Sequence, residues 1–164
     1  MRILVTGAGG FAGSHLIEHL LSHADISAEI HGVVLNSTWR VEPLLAKFTL
    51  HRLDLCDAVS VEALIQELQP GLVYHLAAQS NSVASFLEPW PTHEINVRSQ
   101  LNLLEAIKRW QPAARCLIVS SNEVYGPVAP EQLPILESTA HAPVSPYGVS
   151  KATQELMALQ YWRK

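Results

Sequence analysis

Short apolar runs rich in β-branched residues alternate along the chain with longer stretches whose apolar residues recur at helical spacing. Ile3-Leu4-Val5 predicts a first strand, closed by Thr6-Gly7. From Phe11 to His23, Leu16, Ile17, Leu20 and Leu21 fall on one face of a 3.6-period helix. Ile30–Leu35 and Phe48–Leu53 predict a second and third strand. Val59–Leu68 predicts an amphipathic helix that stops before Pro70-Gly71. Leu72–Leu76 predicts the fourth strand, Thr92–Trp110 a long helix with Ile95, Leu101, Leu104 and Ile107 facing the core, and Cys116–Ser120 the fifth strand. The proline-rich stretch Asn122–Pro143 predicts an irregular loop. Ser145-Pro146 then opens a helix running to the C-terminus, serine suiting the N-cap and proline the first turn.

Strands alternating with helices imply an α/β fold with a parallel, doubly wound sheet of Rossmann-like type. In such sheets ligands bind outside the carboxyl ends of the strands, where strand order reverses. The pattern closes inside a helix at Arg163-Lys164, so the sixth strand of a full dinucleotide fold is expected to be missing. Residues 1–164 thus read as one domain, truncated after its last helix.

Composition narrows the function. Apolar residues make up 48% of the 164 residues and charged residues 16%, a globular balance. The net charge of −4 offers no basic excess for a phosphate backbone, so nucleic acid is not an expected partner. No run approaches the ~20 apolar residues of a membrane span, and none resembles a secretion signal. A soluble cytoplasmic protein is expected, and Cys56 and Cys116, without a metal or disulfide spacing, are expected to be buried thiols.

The first strand leads directly into Thr6-Gly7-Ala8-Gly9-Gly10-Phe11-Ala12-Gly13. Glycines allow a tight turn and close backbone approach to a pyrophosphate, and the helix that follows aims its unpaired N–H groups at the anion. Gly7, Gly10 and Gly13 fit GxxGxxG, while Gly7, Gly9 and Ala12 fit GxGxx[G/A]. Both registers point to a dinucleotide because the motif follows a strand and opens a helix. The stretch after strand two, Val34 to Arg40, lacks the carboxylate that usually binds the adenosine ribose. Asn36 and Ser37 can donate hydrogen bonds and Arg40 can pair with a 2′-phosphate, so NADP(H) is favoured over NAD(H).

Tyr147 and Lys151 stand at i and i+4 and share a helix face. There a lysine ammonium stabilises a tyrosinate, which suits the tyrosine to general acid/base work. Directly after strand five, Ser120-Ser121-Asn122-Glu123 sets hydroxyls and a carboxylate at a strand end. Ser121 can hydrogen-bond a substrate oxygen, and Glu123 can take or give a proton at a neighbouring carbon.

These motifs occur in one order: TGAGGFAG at residues 6–13, Asp54-Leu55, HLAAQS at 75–80, Asn96-Val97, SSNEVYG at 120–126 and YGVSK at 147–151. In that order they resemble the extended short-chain dehydrogenase/reductase family, in its nucleotide-sugar epimerase/dehydratase branch. The resemblance implies that Asp54, with Leu55 beside it, contacts the adenine, that Leu76, Ala77 and Ala78 line the cofactor cleft, and that Asn96 supports the site. It implies a catalytic group of Ser121, Tyr147 and Lys151, with Lys151 also holding the nicotinamide ribose and Glu123 removing a C5 proton. Glucose-type 4,6-dehydratases carry an aspartate before that glutamate, where this chain has Asn122. The GDP-mannose 4,6-dehydratase and 4-keto-6-deoxy-sugar reductase branch is therefore the nearer likeness. The reaction implied is hydride transfer at a hexose C4 hydroxyl, on a GDP-linked sugar, by a homo-oligomer in full-length form. Family members run to about double this length, which implies that residues 1–164 are the NAD(P)-binding Rossmann-like domain without a C-terminal substrate domain, so this chain alone is expected to bind cofactor and turn over sugar poorly.

Two other readings stand beside this one. A non-catalytic dinucleotide sensor would keep the glycine turn, though such proteins commonly lose the tyrosine–lysine pair; a subunit whose other half lies on a separate chain would keep both. His15-Leu16-Ile17-Glu18-His19 matches a zinc-binding pattern, but the buried leucine–isoleucine face lies opposite, so no metal is expected. Trp90, Trp110 and Trp162 read as packing or interface residues, His75 as a buried hydrogen-bonding residue, and Asp57 as a helix cap.

Overall fold

A computed structural model describes residues 1–23 and 27–163. The chain divides into two compact units: Met1–Ala78 with Ser99–Val119, and Gln79–Arg98 with Ser120–Lys164.

The first unit is a parallel sheet with helices on both faces. Its strands are β1 (Arg2–Thr6), β2 (Glu29–Val34), β3 (Thr49–Arg52), β4 (Leu72–His75) and β5 (Arg115–Ile118), in the order β3-β2-β1-β4-β5. Its helices are α1 (Phe11–Ser22), α2 (Ala58–Leu68) and α5 (Ser99–Trp110). Strand residues alternate between faces. Ile3, Val5, Ile30 and Val34 pack with Ile17 and Leu20 of α1 and with Phe48. Leu4, Val33 and Val73 pack with Val61, Leu64, Ile65 and Leu68 of α2 and with Leu103, Ala106 and Ile107 of α5. The order reverses at β1, between β2 and β4, which is the switch point where such sheets bind ligands.

The expected helix ends are set by the expected chemistry. Asp57 caps α2 by accepting a hydrogen bond from the Val59 N–H. Gln69 closes it in the left-handed conformation just before Pro70. Trp110 packs beside the α2–α5 core and donates its indole N–H to Glu62.

The second unit carries α3 (Ser82–Leu87), α4 (Pro89–His93), a π-helical turn over Glu94–Arg98, two 3₁₀ turns at Asn122–Tyr125 and Pro130–Gln132, and α6 (Pro146–Trp162). The last residue of the predicted C-terminal helix, Lys164, lies outside the described residues.

Three expectations are corrected. The helix predicted over Thr92–Trp110 is α4, the π turn and α5 in succession. The wider π turn shifts the inward face, so Ile95 and Leu101 are exposed, while Asn96, Gln100 and Leu103 are buried. Helix α3, capped by Asn81 accepting from the Ala84 N–H, had no counterpart in the hydrophobic pattern because Val83, Phe86 and Leu87 are all exposed. The cysteines are not buried: Cys56 is half-buried, and Cys116 is exposed because β5 is an edge strand. Of the tryptophans read as packing or interface residues, Trp90 and Trp162 are exposed, which leaves them the interface part of that reading.

No described helix is long and apolar enough to cross a membrane. His15, His19 and His23 are exposed on α1 and its end. Among the described residues, no group of three or more histidine, cysteine or acidic side chains is arranged to hold a metal.

Candidate functional site

In the first unit the chemistry begins at the turn after β1. Gly7 has φ +72°, in the left-handed region, and a Cβ there would lie 2.8 Å from the Ala77 nitrogen. No L side chain fits, so the backbone at Leu76–Ala77 runs directly against the turn. Gly9 faces the Ser37 carbonyl so closely that a Cβ would collide with it. The two close approaches therefore bring the predicted residues Ser37, Leu76 and Ala77 to the glycine turn. Gly10 is the N-cap of α1 and supplies no side-chain cap, which leaves first-turn N–H groups of α1 for an anion. Thr6 fixes the neighbouring strand ends, with its hydroxyl 2.8 Å from His75 Nδ1 and accepting from the Ala77 N–H at 3.2 Å. Gly7→Ala is expected to destabilise the fold by about 2 kcal/mol, lowering Tm by roughly 4–8 °C in calorimetry.

The stretch after β2 sits on the same turn. The Arg40 guanidinium lies 4.2 Å from the Trp39 ring centroid and 5.6 Å from that of Phe11, the first residue of α1. Cation–π contact holds this charge at the start of the helix. Asn36 is exposed, and its carbonyl accepts from Arg52 Nη1 at 2.9 Å. Asp54 is exposed with Oδ1 accepting from the Cys56 N–H, while Leu55 is buried in the core and holds Asn102 through its carbonyl. Gly13 is buried at the first turn of α1, Ala12 is exposed there, and Ala78 is half-buried.

In the second unit, Tyr147 and Lys151 are both buried on α6, at 8% and 4% exposure. Burial pushes the Lys151 amine down from 10.5 to about 8. Taking the ammonium out of water disfavours the charged form and brings the group near neutrality. The helix start is held by a set of hydroxyls. Ser145 caps it, accepting from the Gly148 N–H at 2.9 Å, and donates to Glu123 Oε2 at 2.6 Å. The same Glu123 oxygen accepts from Ser82 at 2.9 Å. Ser85 accepts from the Tyr147 N–H at 3.1 Å.

Asn96 lies fully buried in the π turn. Its amide donates to Ser150 at 2.9 Å and its Oδ1 accepts from the Gln79 N–H at 2.7 Å. These bonds tie the π turn to α6 and to Gln79. Ser121 accepts from the Glu123 N–H at 3.2 Å, leaving its own hydroxyl proton to donate. Glu155, one turn beyond Lys151, accepts from Ser120 and pairs with His141 Nε2 at 3.1 Å. Ser82, Ser85, Ser150, Glu155 and His141 escaped the sequence reading. Helical i+4 spacing from Tyr147 and Lys151 to Glu155 was the one local signal available for them.

The profile of the GDP-mannose 4,6 dehydratase family matches residues 4–164. The chain belongs to this family. Relatives of known name agree with that placement. GDP-6-deoxy-D-mannose reductase of Pseudomonas aeruginosa is 36% identical over 160 residues, covering 98% of this chain and 47% of that protein. Among solved structures, DesIV, a dTDP-glucose 4,6-dehydratase of Streptomyces venezuelae with NAD and TYD bound, superposes with a TM-score of 0.90 at 30% identity, over 100% of this chain and 52% of that one. RMD of Pseudomonas aeruginosa complexed with NADPH gives a TM-score of 0.78 at 36% identity, over 98% and 48%. The chain thus spans about half the length of its GDP-mannose 4,6-dehydratase family relatives.

Proposed function

We propose that this chain is the cofactor-binding portion of an NAD(P)-dependent nucleotide-sugar enzyme. Its reaction is hydride transfer at a hexose C4 hydroxyl, in the manner of a GDP-mannose 4,6-dehydratase or a 4-keto-6-deoxy-sugar reductase. The observation that carries the reading is the burial of Tyr147 and Lys151 on one face of α6, whose start is pinned through Ser145 and Glu123. A scaffold with no chemistry to perform gains nothing from an ammonium held out of water, which disfavours the sensor reading.

The residues present fit a dinucleotide. The uncapped start of α1 and the glycine turn suit a pyrophosphate, and the predicted adenine contacts Asp54 and Leu55 follow β3. When bound, the nicotinamide supplies the hydride acceptor or donor. Tyr147 takes the C4 hydroxyl proton in the oxidising direction and returns it in the reducing one. Lys151 stabilises the tyrosinate and holds the ribose. Ser121 donates its free hydroxyl proton to the same substrate oxygen. Glu123 Oε2 is committed to two serines, so Oε1 is the oxygen that takes a C5 proton. Asn122 has no carboxylic proton to give at water loss, which favours the GDP-mannose side of the family over the glucose side. A GDP-linked hexose is the proposed substrate, and a homo-oligomer the proposed assembly.

NADP(H) is the proposed cofactor, on the strength of the Arg40 charge clasped beside α1. A charge-assisted hydrogen bond contributes about 1.5–3 kcal/mol, so Arg40→Ala weakens NADPH binding by about tenfold or more. NADH affinity stays nearly constant in the same calorimetric titration. A wild-type preference for NAD⁺ of tenfold overturns the assignment, and failure to bind either dinucleotide overturns the function.

A further inference from the structure

His31 on β2 and His51 on β3 belong to neighbouring parallel strands, with Val33 opposite His51 and Thr49 opposite His31. His31 shares the face of Val33, which packs towards α2. His31 Nδ1 lies 3.0 Å from His51 Nε2, and the rings are inclined by 22° with centroids 5.3 Å apart. The His31 side chain is 12% exposed and His51 is half-buried.

A hydrogen bond between two imidazole nitrogens needs one proton on their axis, one ring donating and the other accepting. A first added proton leaves an imidazolium donating to a neutral imidazole and keeps the bond; only when both rings are protonated do both facing nitrogens carry protons, so that no acceptor remains and two cations stand side by side. No described contact offers strong compensation. Glu29 Oε2 lies 3.9 Å from His31 Nε2, but Arg2 of β1 already engages that oxygen at 3.1 Å. On α2, Glu67 faces His51 and Arg2 also bears on His31, with opposite sign. β3 is one of the two edge strands of the sheet, paired with β2 alone, so this contact joins an edge strand to the rest.

We propose that His31 and His51 form an acid-release latch, closed while the facing nitrogens share one proton and opened when both rings are protonated, which frees the β3 edge. Burial lowers both imidazoles from the ordinary 6.5, and for His31 the neighbouring His51 lowers it further. The unfolded chain therefore binds more protons than the folded one as pH falls through 6.5, and stability drops in that direction. The stabilisation is complete above 6.5 and is lost on acidification. Arg52, next to His51, holds the Asn36 carbonyl, and β3 leads into Asp54. Resting on the proposed function, the latch then also makes dinucleotide affinity acid-sensitive.

The test follows imidazole resonances of the 164-residue chain by NMR between pH 8 and 4.5. His31 and His51 are expected to titrate in coupled steps with midpoints below 6.5; ordinary, independent midpoints overturn the latch. His51→Gln keeps a hydrogen-bonding amide and removes one titrating group. Its fall in Tm between pH 7.5 and 5.5 is expected to be at most half that of wild type, and a parallel fall overturns the proposal. Should the variant not fold, the wild-type titration alone decides. NADPH affinity is expected to fall several-fold over the same range in wild type and less in His51→Gln; equal losses overturn the link to the cofactor. Absence of NADPH binding at every pH counts against the proposed function, while the imidazole titration still judges the latch.

Discussion

Tyr147→Phe is expected to lower kcat by about 10²–10⁴ in protein that turns over nucleotide sugar, the range supplied by a positioned general acid/base. The ring itself is not at risk. Tyr147 is 8% exposed, its backbone N–H is held by Ser85 and its carbonyl by Ser150, and none of these contacts uses the phenol oxygen. Phenylalanine keeps the packing and removes only the proton carrier. Dinucleotide affinity should therefore stay within about twofold, because the charge-assisted contacts proposed for the cofactor lie on Arg40 and Lys151. The measurement is a single-turnover hydride-transfer rate beside a calorimetric NADPH titration. A rate within tenfold of wild type removes Tyr147 from the mechanism. Weakened cofactor binding with an unchanged rate recasts it as a packing residue.

What the sequence made legible is what local spacing encodes. The glycine turn could be placed because it follows a β-branched run and opens an amphipathic helix. The start of α6 could be placed because Ser145-Pro146 is an N-cap and first turn in two letters, and Tyr147 with Lys151 needs only the i+4 rule. What stayed hidden joins distant segments. Glu123 meets Ser82 from 41 residues away and Ser145 from 22, and no periodicity announces such a pairing. The His31–His51 contact spans 20 residues and becomes readable only when the β2–β3 register is known. The π turn at Glu94–Arg98 breaks the 3.6-residue count, so the periodicity points Ile95 and Leu101 inward while Asn96 is the buried residue. An apolar strand pattern also assumes both faces covered, an assumption that fails for Cys116 on the edge strand.

The same physics sets the second large effect, which is on stability. Lys151→Met is expected to stabilise the fold at pH 7 by up to about 3 kcal/mol, from a proton affinity lowered from 10.5 to about 8 at 1.36 kcal/mol per pH unit. The sign follows from where the proton goes. Below pH 8 the amine is charged in both folded and unfolded chains, and the folded chain carries the full cost of a buried ammonium. Between 8 and 10.5 the folded chain releases its proton first, so wild-type stability rises with pH. Above 10.5 both states are neutral and the cost is gone. Methionine matches the length and apolar stem of lysine without its charge. Its Tm should exceed wild type by roughly 6–10 °C at pH 7 for a chain of this size, and the gap should close as pH climbs towards 10.5. A gap that is absent at pH 7, or that widens with pH, shows that burial does not govern this amine. The expected pattern, with dinucleotide binding weakened in the stabilised variant, means that the fold tolerates a destabilising charge at Lys151 for the sake of the chemistry beside Tyr147.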